Sequence, residues 1–137
     1  MAVVWIVVLV WPKTKIDSNP RSLKIGNKEL SVYVADTPQE WSQGLSGLPS
    51  LAPDSGMLFI FNDSDSSYMW MKDMKFSLDF IWIDDDLKVV EYKENVSPST
   101  YPQTFTSHKP VKYVLEVNAG WVAKNNIQIG DQVWYNR

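Results

Sequence analysis

Beyond residue 20 the apolar residues fall into short runs, some alternating with polar residues and some unbroken, with Gly, Asn, Asp and Pro between them. Runs this short, rich in Val, Ile, Tyr, Phe and Trp, predict strands. Strands are expected at 30–35, 56–61, 68–71, 78–83, 87–92, 113–117 and 132–135. Asn27 follows Gly26 between Ile25 and Leu30, and Asp84, Asp85 and Asp86 lie between one apolar run and the next. Both places read as hairpin turns between antiparallel neighbours. Thr37-Pro38-Gln39-Glu40 spells a capping box with proline at the first helical position; Trp41 and Leu45 give the helix an apolar stripe, and Gly44 with Gly47 stops it. A second short helix is expected at 119–125, with Asn118 as its cap, Val122 turned inward and Asn126 where a left-handed residue is tolerated. Strands dominate and no strand–helix–strand alternation is visible. The predicted class is therefore mainly β: one compact sandwich, jelly-roll-like or partly closed barrel with two short helices.

The first residues break this pattern. From Ala2 to Trp11 the chain carries no charge, and Pro12, Lys13 and Lys15 follow. A spanning helix needs about 20 apolar residues and a signal core roughly 7–15, so the run fits the second. It has no basic residues before it and no small-x-small site after it; a truncated start, with part of a longer anchor missing, would explain its shortness and the absent basic residues. The other reading is a buried strand over 3–10, since Val and Ile dominate. The expected organisation is an apolar signal or anchor segment at 1–12, a polar linker at 13–21 and a β-rich domain at 22–137, held outside the cytoplasm, membrane-anchored or secreted.

Composition narrows the functions available. A chain of 137 residues, 45% hydrophobic and with seven tryptophans, builds one domain with a true core. Thirteen Lys and Arg against sixteen Asp and Glu leave a net charge of −3, with no basic surplus to neutralise phosphates, so nucleic acid is not an expected partner. The absence of cysteine removes disulfides, thiolate nucleophiles and Cys-rich zinc sites, and the single histidine, His108, is too few for a His-rich metal centre. Neither metal nor cofactor is predicted.

Several motifs stand in order along the domain: Gln43-Gly44-Leu45-Ser46-Gly47, Gly56-Met57-Leu58-Phe59-Ile60-Phe61, Trp70-Met71-Lys72-Asp73, Leu78-Asp79-Phe80-Ile81-Trp82-Ile83-Asp84, Glu94-Asn95-Val96-Ser97-Pro98, Tyr113-Val114-Leu115-Glu116 and Ile129-Gly130-Asp131. In this order and spacing the chain resembles, from Leu30 to Val133, the widespread prokaryotic family known as domain of unknown function 192. The resemblance implies a compact β-sandwich or jelly-roll-like fold and, for many relatives, an envelope protein with a signal or lipid anchor. It implies no reaction. Where relatives usually carry an arginine, four residues after the first glycine of the first motif, this chain has Leu48; where they often carry asparagine, it has Asp73.

Chemistry is richest around residue 70. In Trp70-Met71-Lys72-Asp73, alternation sends Trp70 and Lys72 to one side of a strand and Met71 to the other. A tryptophan face beside charged hydrogen-bonding groups suits a saccharide or a quaternary amine. The structural alternative makes Met71 core and Lys72 a bridge to a carboxylate such as Asp79 or Glu116. Those two carboxylates lie within apolar runs and, facing one cleft, would serve as acid and base or as nucleophile and acid on a glycosidic bond. Held by backbone amides or a lysine, they would be structural. Met57, Met69, Met71 and Met74, with His108, read either as core filling or as soft Cu(I) ligands. Asp84, Asp85 and Asp86 look calcium-like, but Leu87 and Lys88 interrupt the spacing. Serine hydrolysis lacks its Gly-x-Ser-x-Gly context. Residues 97–110, with Pro98, Pro102, Pro110, Tyr101, Phe105 and His108, read as a recognition loop or as an ordered crossover.

The preferred reading is an extracytoplasmic binding module for an envelope saccharide or peptide, tethered through the N-terminal segment or secreted. Trp70, Lys72, Asp73, Tyr101 and His108 are its expected ligand-binding residues. A small glycan hydrolase using Asp79 and Glu116 is the enzymatic alternative. A structural partner of another envelope protein is the third.

Overall fold

The computed structural model describes residues 19–63 and 67–136, so the segment expected at 1–12, as signal, anchor or strand, lies outside the described residues. So does most of the expected linker. Strand β1 (Arg21–Ile25) turns back through Gly26, at φ +56°, into β2 (Lys28–Ala35), an antiparallel hairpin. The expected capping box is formed: the Thr37 hydroxyl accepts the Glu40 N–H, and the Glu40 carboxylate accepts the Thr37 N–H, at the start of α1 (Pro38–Gln43). Gly44 ends the helix. The chain then enters β3 (Ser55–Ile60), parallel to β2. The order strand, helix, strand is the one expected here; that β3 lies beside β2 and parallel to it was not legible, because pairing is not written in local pattern.

Strands β5 (Leu78–Ile83) and β6 (Val89–Val96) form the hairpin expected at the three aspartates. Asp84 Oδ1 accepts the N–H groups of Asp86 and Lys88, and Leu87 takes a positive φ of 58°, so the turn runs on to Lys88 and β6 begins at Val89. Strand β8 (Tyr113–Asn118) inserts between β3 and β5, antiparallel to both, and β9 (Val133–Tyr135) pairs with β1. The result is a seven-stranded mixed sheet in the order β6-β5-β8-β3-β2-β1-β9. Its ends meet: Lys88 bridges Gln132, the Gly130 N–H reaches the Val89 carbonyl at 2.7 Å, and the Val133 N–H reaches the Leu87 carbonyl at 2.7 Å. The sheet therefore curls into a half-barrel. The molecule is mainly β, with two short helices, as the strand pattern predicts.

The curled sheet has a core on each face. Inside the curl lie Leu23, Val32, Leu58, Ile81, Leu115 and Val117, closed at one end by α2 (Trp121–Lys124). On the other face Phe59, Phe61, Met71, Phe80, Trp82 and Phe105 pack beneath the small sheet of β4 (Met69–Trp70) and β7 (Thr104–Phe105). Burial on both faces explains why β5 and β8 read as nearly continuous apolar runs.

One expectation at α2 is corrected. Asn118 is the last residue of β8, and its amide donates to the Leu51 carbonyl at 2.9 Å. The residue at the helix N-cap is Gly120, at φ +91°, with no side-chain cap. The free N–H of Val122 is instead taken by Asp79 Oδ2 at 3.0 Å, from a strand 43 residues away in sequence. Asn126 is left-handed, at φ 52°, as predicted.

Candidate functional site

Alternation on β8 sends Tyr113, Leu115 and Val117 into the curl and Glu116 to the opposite face. There it stands in register between Met57 of β3 and Phe80 of β5, only 4% exposed. Its Oε2 is buried and has no hydrogen-bond partner. Burial pushes the Glu116 carboxyl up from its ordinary 4.5 to about 8, so near neutral pH it carries its proton.

This carboxyl lines a narrow cleft of about 20 Å3, open on one side, between the end of α1 and strand β4. Trp41, Gly44, Phe59, Tyr68, Met69, Trp70 and Met74 line it too. Gly44, at φ +47°, lets the chain cross directly over the floor: a Cβ there would stand 3.2 Å from Phe59 Cζ and 3.9 Å from Glu116 Oε2. The following turn is bolted to the Trp70–Asp73 segment, since the Gly47 N–H reaches the Asp73 carbonyl at 3.0 Å and the Ser46 hydroxyl reaches the Lys72 carbonyl at 2.6 Å. Two motifs far apart in sequence thus build one wall.

Trp70 forms the rim, 37% exposed, with Lys72 Nζ 5.6 Å from its ring centroid and Tyr101, 43% exposed, edge-on at 6.0 Å. Met71 points the other way and is core. Lys72 seats its ammonium on the Trp70 ring rather than bridging to Asp79 or Glu116. Asp73 takes φ +55°, the left-handed region that Asn and Asp tolerate, so backbone geometry accounts for either residue at this position. Its carbonyl holds the Gly47 turn, and the residue lines an open groove beside the cleft with Lys72 and Lys75. Leu48 is partly buried and packs against the core of the outer face.

The structure separates the remaining predicted residues from this cleft. Asp79 is wholly buried on the inner face, with Oδ1 accepting the Asn95 N–H at 2.8 Å and Oδ2 accepting that of Val122. Strand register puts Asp79 beside Val117 and Glu116 beside Phe80, so the two carboxylates point to opposite faces of the sheet. They do not face one cleft. His108, with its side chain 92% exposed, pairs with Glu91 at 3.0 Å and lines no part of the cleft. Burial raises the Glu91 carboxyl, but bonds from the His108 backbone and ring and from the Ser107 hydroxyl outweigh this and hold it below the usual value. The methionines of the predicted soft cluster fill the outer core, and no group of three or more His, Cys, Asp or Glu gathers among the described residues.

Most of the lining, including Trp41, Gly44, Phe59, Tyr68, Met69 and Met74, is not among the ligand-binding residues expected from sequence. Gly44 was visible within its motif, but only as a helix stop. Trp41 was visible as the helix's apolar stripe.

The family model of domain of unknown function 192, described as an uncharacterised ACR, matches residues 21–135. The chain belongs to this family. Among curated proteins no match is found. A crystal structure from Sinorhizobium meliloti 1021, of a protein provisionally assigned as a transcription regulator, is 31% identical, with a TM-score of 0.78 over 85% of this chain and 93% of that one. A protein of unknown function from Novosphingobium aromaticivorans shares the fold at 24% identity, with a TM-score of 0.77 over 85% of each chain.

Proposed function

We propose that this member of the family is a binding module for an envelope saccharide, received at the cleft between α1 and β4. The observation that carries the reading is Glu116: a buried carboxyl whose Oε2 has no hydrogen-bond partner, at the floor of an aromatic-walled opening. Buried polar groups are normally hydrogen-bonded, and an unmet one in a cleft calls for a partner from outside. The exposed rings of Trp70 and Tyr101 suit the apolar face of a sugar, and Lys72 beside them adds a charged donor. An extracytoplasmic location belongs to the same proposal and rests on the uncharged run from Ala2 to Trp11.

A two-carboxylate hydrolase is not favoured, because Asp79 is occupied by two backbone N–H groups on the far face. Gene regulation by nucleic-acid binding, suggested by the assignment of the Sinorhizobium protein, is not favoured by a net charge of −3. The test is a titration of the purified chain against a library of envelope glycans, followed by tryptophan fluorescence and by assay for new reducing ends. Binding without product, weakened about tenfold by Trp70→Ala through loss of a stacking platform, is expected. Release of reducing ends that Glu116→Gln abolishes would overturn it in favour of catalysis.

A further inference from the structure

The opening above Glu116, about 20 Å3, holds one water-sized group, so the length of a saccharide lies outside it. Beside it runs an open groove of about 1010 Å3, at the top of the roughly 300–1,000 Å3 that ligand pockets span. One wall is Gln39, Ser42 and Gln43 of α1, at helical spacing, with Ser46 from the turn that follows. The other is the segment 72–75. The Ser46 hydroxyl on the Lys72 carbonyl and the Gly47 N–H on the Asp73 carbonyl fix the walls to each other. Cleft and groove share Ser42, Gln43, Ser46 and Met74, so the groove is continuous with the Trp70 rim.

Two ammonium groups set the charge of this groove. Lys72 and Lys75 line it against one acid, Asp73, in a chain whose net charge is −3. Lys75 is exposed and makes no ion pair or hydrogen bond among the described residues. Lys72 makes no ion pair among them either; its ammonium lies 5.6 Å from the Trp70 ring centroid. Asp73, between the lysines in sequence, repels a carboxylate at its own position and accepts from hydroxyls. The match is therefore to charges spaced along a chain rather than to one compact anion. The Gln39 amide and the Ser42 hydroxyl are uncommitted, and Gln43, whose Nε2 donates to the Ser46 carbonyl at 3.1 Å, keeps its Oε1 as an acceptor. Such groups suit sugar hydroxyls, which both donate and accept. A peptide would call for a strand edge or apolar side-chain pockets, whereas no strand borders the groove and Met74 is the one apolar side chain lining it.

We infer that the groove between α1 and the segment 72–75 is the binding site of an acidic saccharide, with carboxylates of the sugar chain paired to Lys72 and Lys75 and its hydroxyls to Gln39, Ser42 and Asp73. One ring rests at Trp70 and Tyr101. This rests on the saccharide-binding reading above and names the class of sugar. Both lysines are exposed, so their pairing with a ligand is screened by salt, which gives the site a signature that stacking on Trp70 lacks.

The test is calorimetric titration of the full chain and its variants with four probes: tetragalacturonate, its methyl ester, tetraglutamate and inorganic phosphate. The ester keeps the sugar and removes the charge. In low salt the acid is expected to bind about tenfold more tightly than the ester, and the difference should shrink to below about threefold at about 0.5 M salt. Lys75→Gln should weaken the acid about two- to fivefold and leave the ester unchanged, and the double variant Lys72→Gln with Lys75→Gln should abolish the preference while melting as the parent does. Equal affinity for acid and ester overturns the acidic sugar but leaves a saccharide module. A preference that survives the double variant overturns the groove as its place. Phosphate binding as tightly as the acid overturns the spaced-charge match in favour of a compact anion. Tetraglutamate binding as tightly overturns both readings in favour of an acidic peptide, and binding of none of the four overturns both outright.

Discussion

Gly44 occupies a backbone conformation, φ +47° and ψ −135°, that an L side chain adopts only under strain, and it does so directly above the carboxyl of Glu116. Space and dihedral reinforce each other, since a Cβ would press on Phe59 Cζ at 3.2 Å. Gly44→Ala is expected to lower stability by about 1–2 kcal/mol, read from urea midpoints. It should weaken ligand binding further, because the α1 end must lift away from the floor. An alanine that changed neither would show that the crossing is not tight. Much of this scale was readable in advance: the capping box at Thr37, the hairpin at Asp84 and the burial of both carboxylates depend on neighbours within a few residues or on run composition. The opening at Gly44 depends on Phe59 and Glu116, which reach it only through the sheet.

At the level of elements, Asp79 is a fastener. The register between β5 and β6 slips between Leu78 and Phe80, where β6 carries an extra residue, and Asn95 there takes φ +55°. A bulge leaves an N–H without a ladder partner, and Asp79 accepts it while also accepting the Val122 N–H that opens α2. One carboxyl thus ties a bulge and a helix to the central strands. Asp79→Asn keeps one acceptor and turns an N–H donor toward the other backbone N–H, so a loss of about 2–3 kcal/mol is expected by chemical denaturation. Cleft binding should be unchanged, because the side chain lies across the sheet. A catalytic Asp79 would give the reverse, with activity lost and stability kept.

For the whole molecule the buried acid sets a pH profile. Below about pH 4.5 Glu116 is protonated folded and unfolded alike; between 4.5 and about 8 the folded chain holds a proton that the unfolded chain has released. Stability therefore falls as pH rises through this window, by up to about 1.4 kcal/mol per unit and on the order of 5 kcal/mol in total, then levels off. Glu91 and Asp54, held below their ordinary values, act the other way and only in acid, so the two effects occupy different pH ranges. Unfolding curves at pH 5, 6.5 and 8 should show the decline in the parent and its loss in Glu116→Gln. A flat parent profile would mean that Glu116 is solvated.

Local patterning was enough to announce a mainly β domain with two short helices, the places of seven of the nine strands in the described residues, all but β1 and β7, and the family to which the chain belongs. Those features follow from period-two alternation, turn residues and caps, all written within a few positions of where they act. Pairing was another matter. That β3 runs parallel to β2, that β8 inserts between β3 and β5, and that the edges meet near Lys88 and Gln132 arise from contacts between distant segments. With the pairing came the chemistry. Register placed Asp79 and Glu116 on opposite faces, giving one carboxyl two backbone amides and leaving the other with an unmet oxygen at the bottom of a cleft. In a strand a shift of one residue exchanges the faces, so the roles of the two acids were decided by the assembled sheet, where alone that shift is defined.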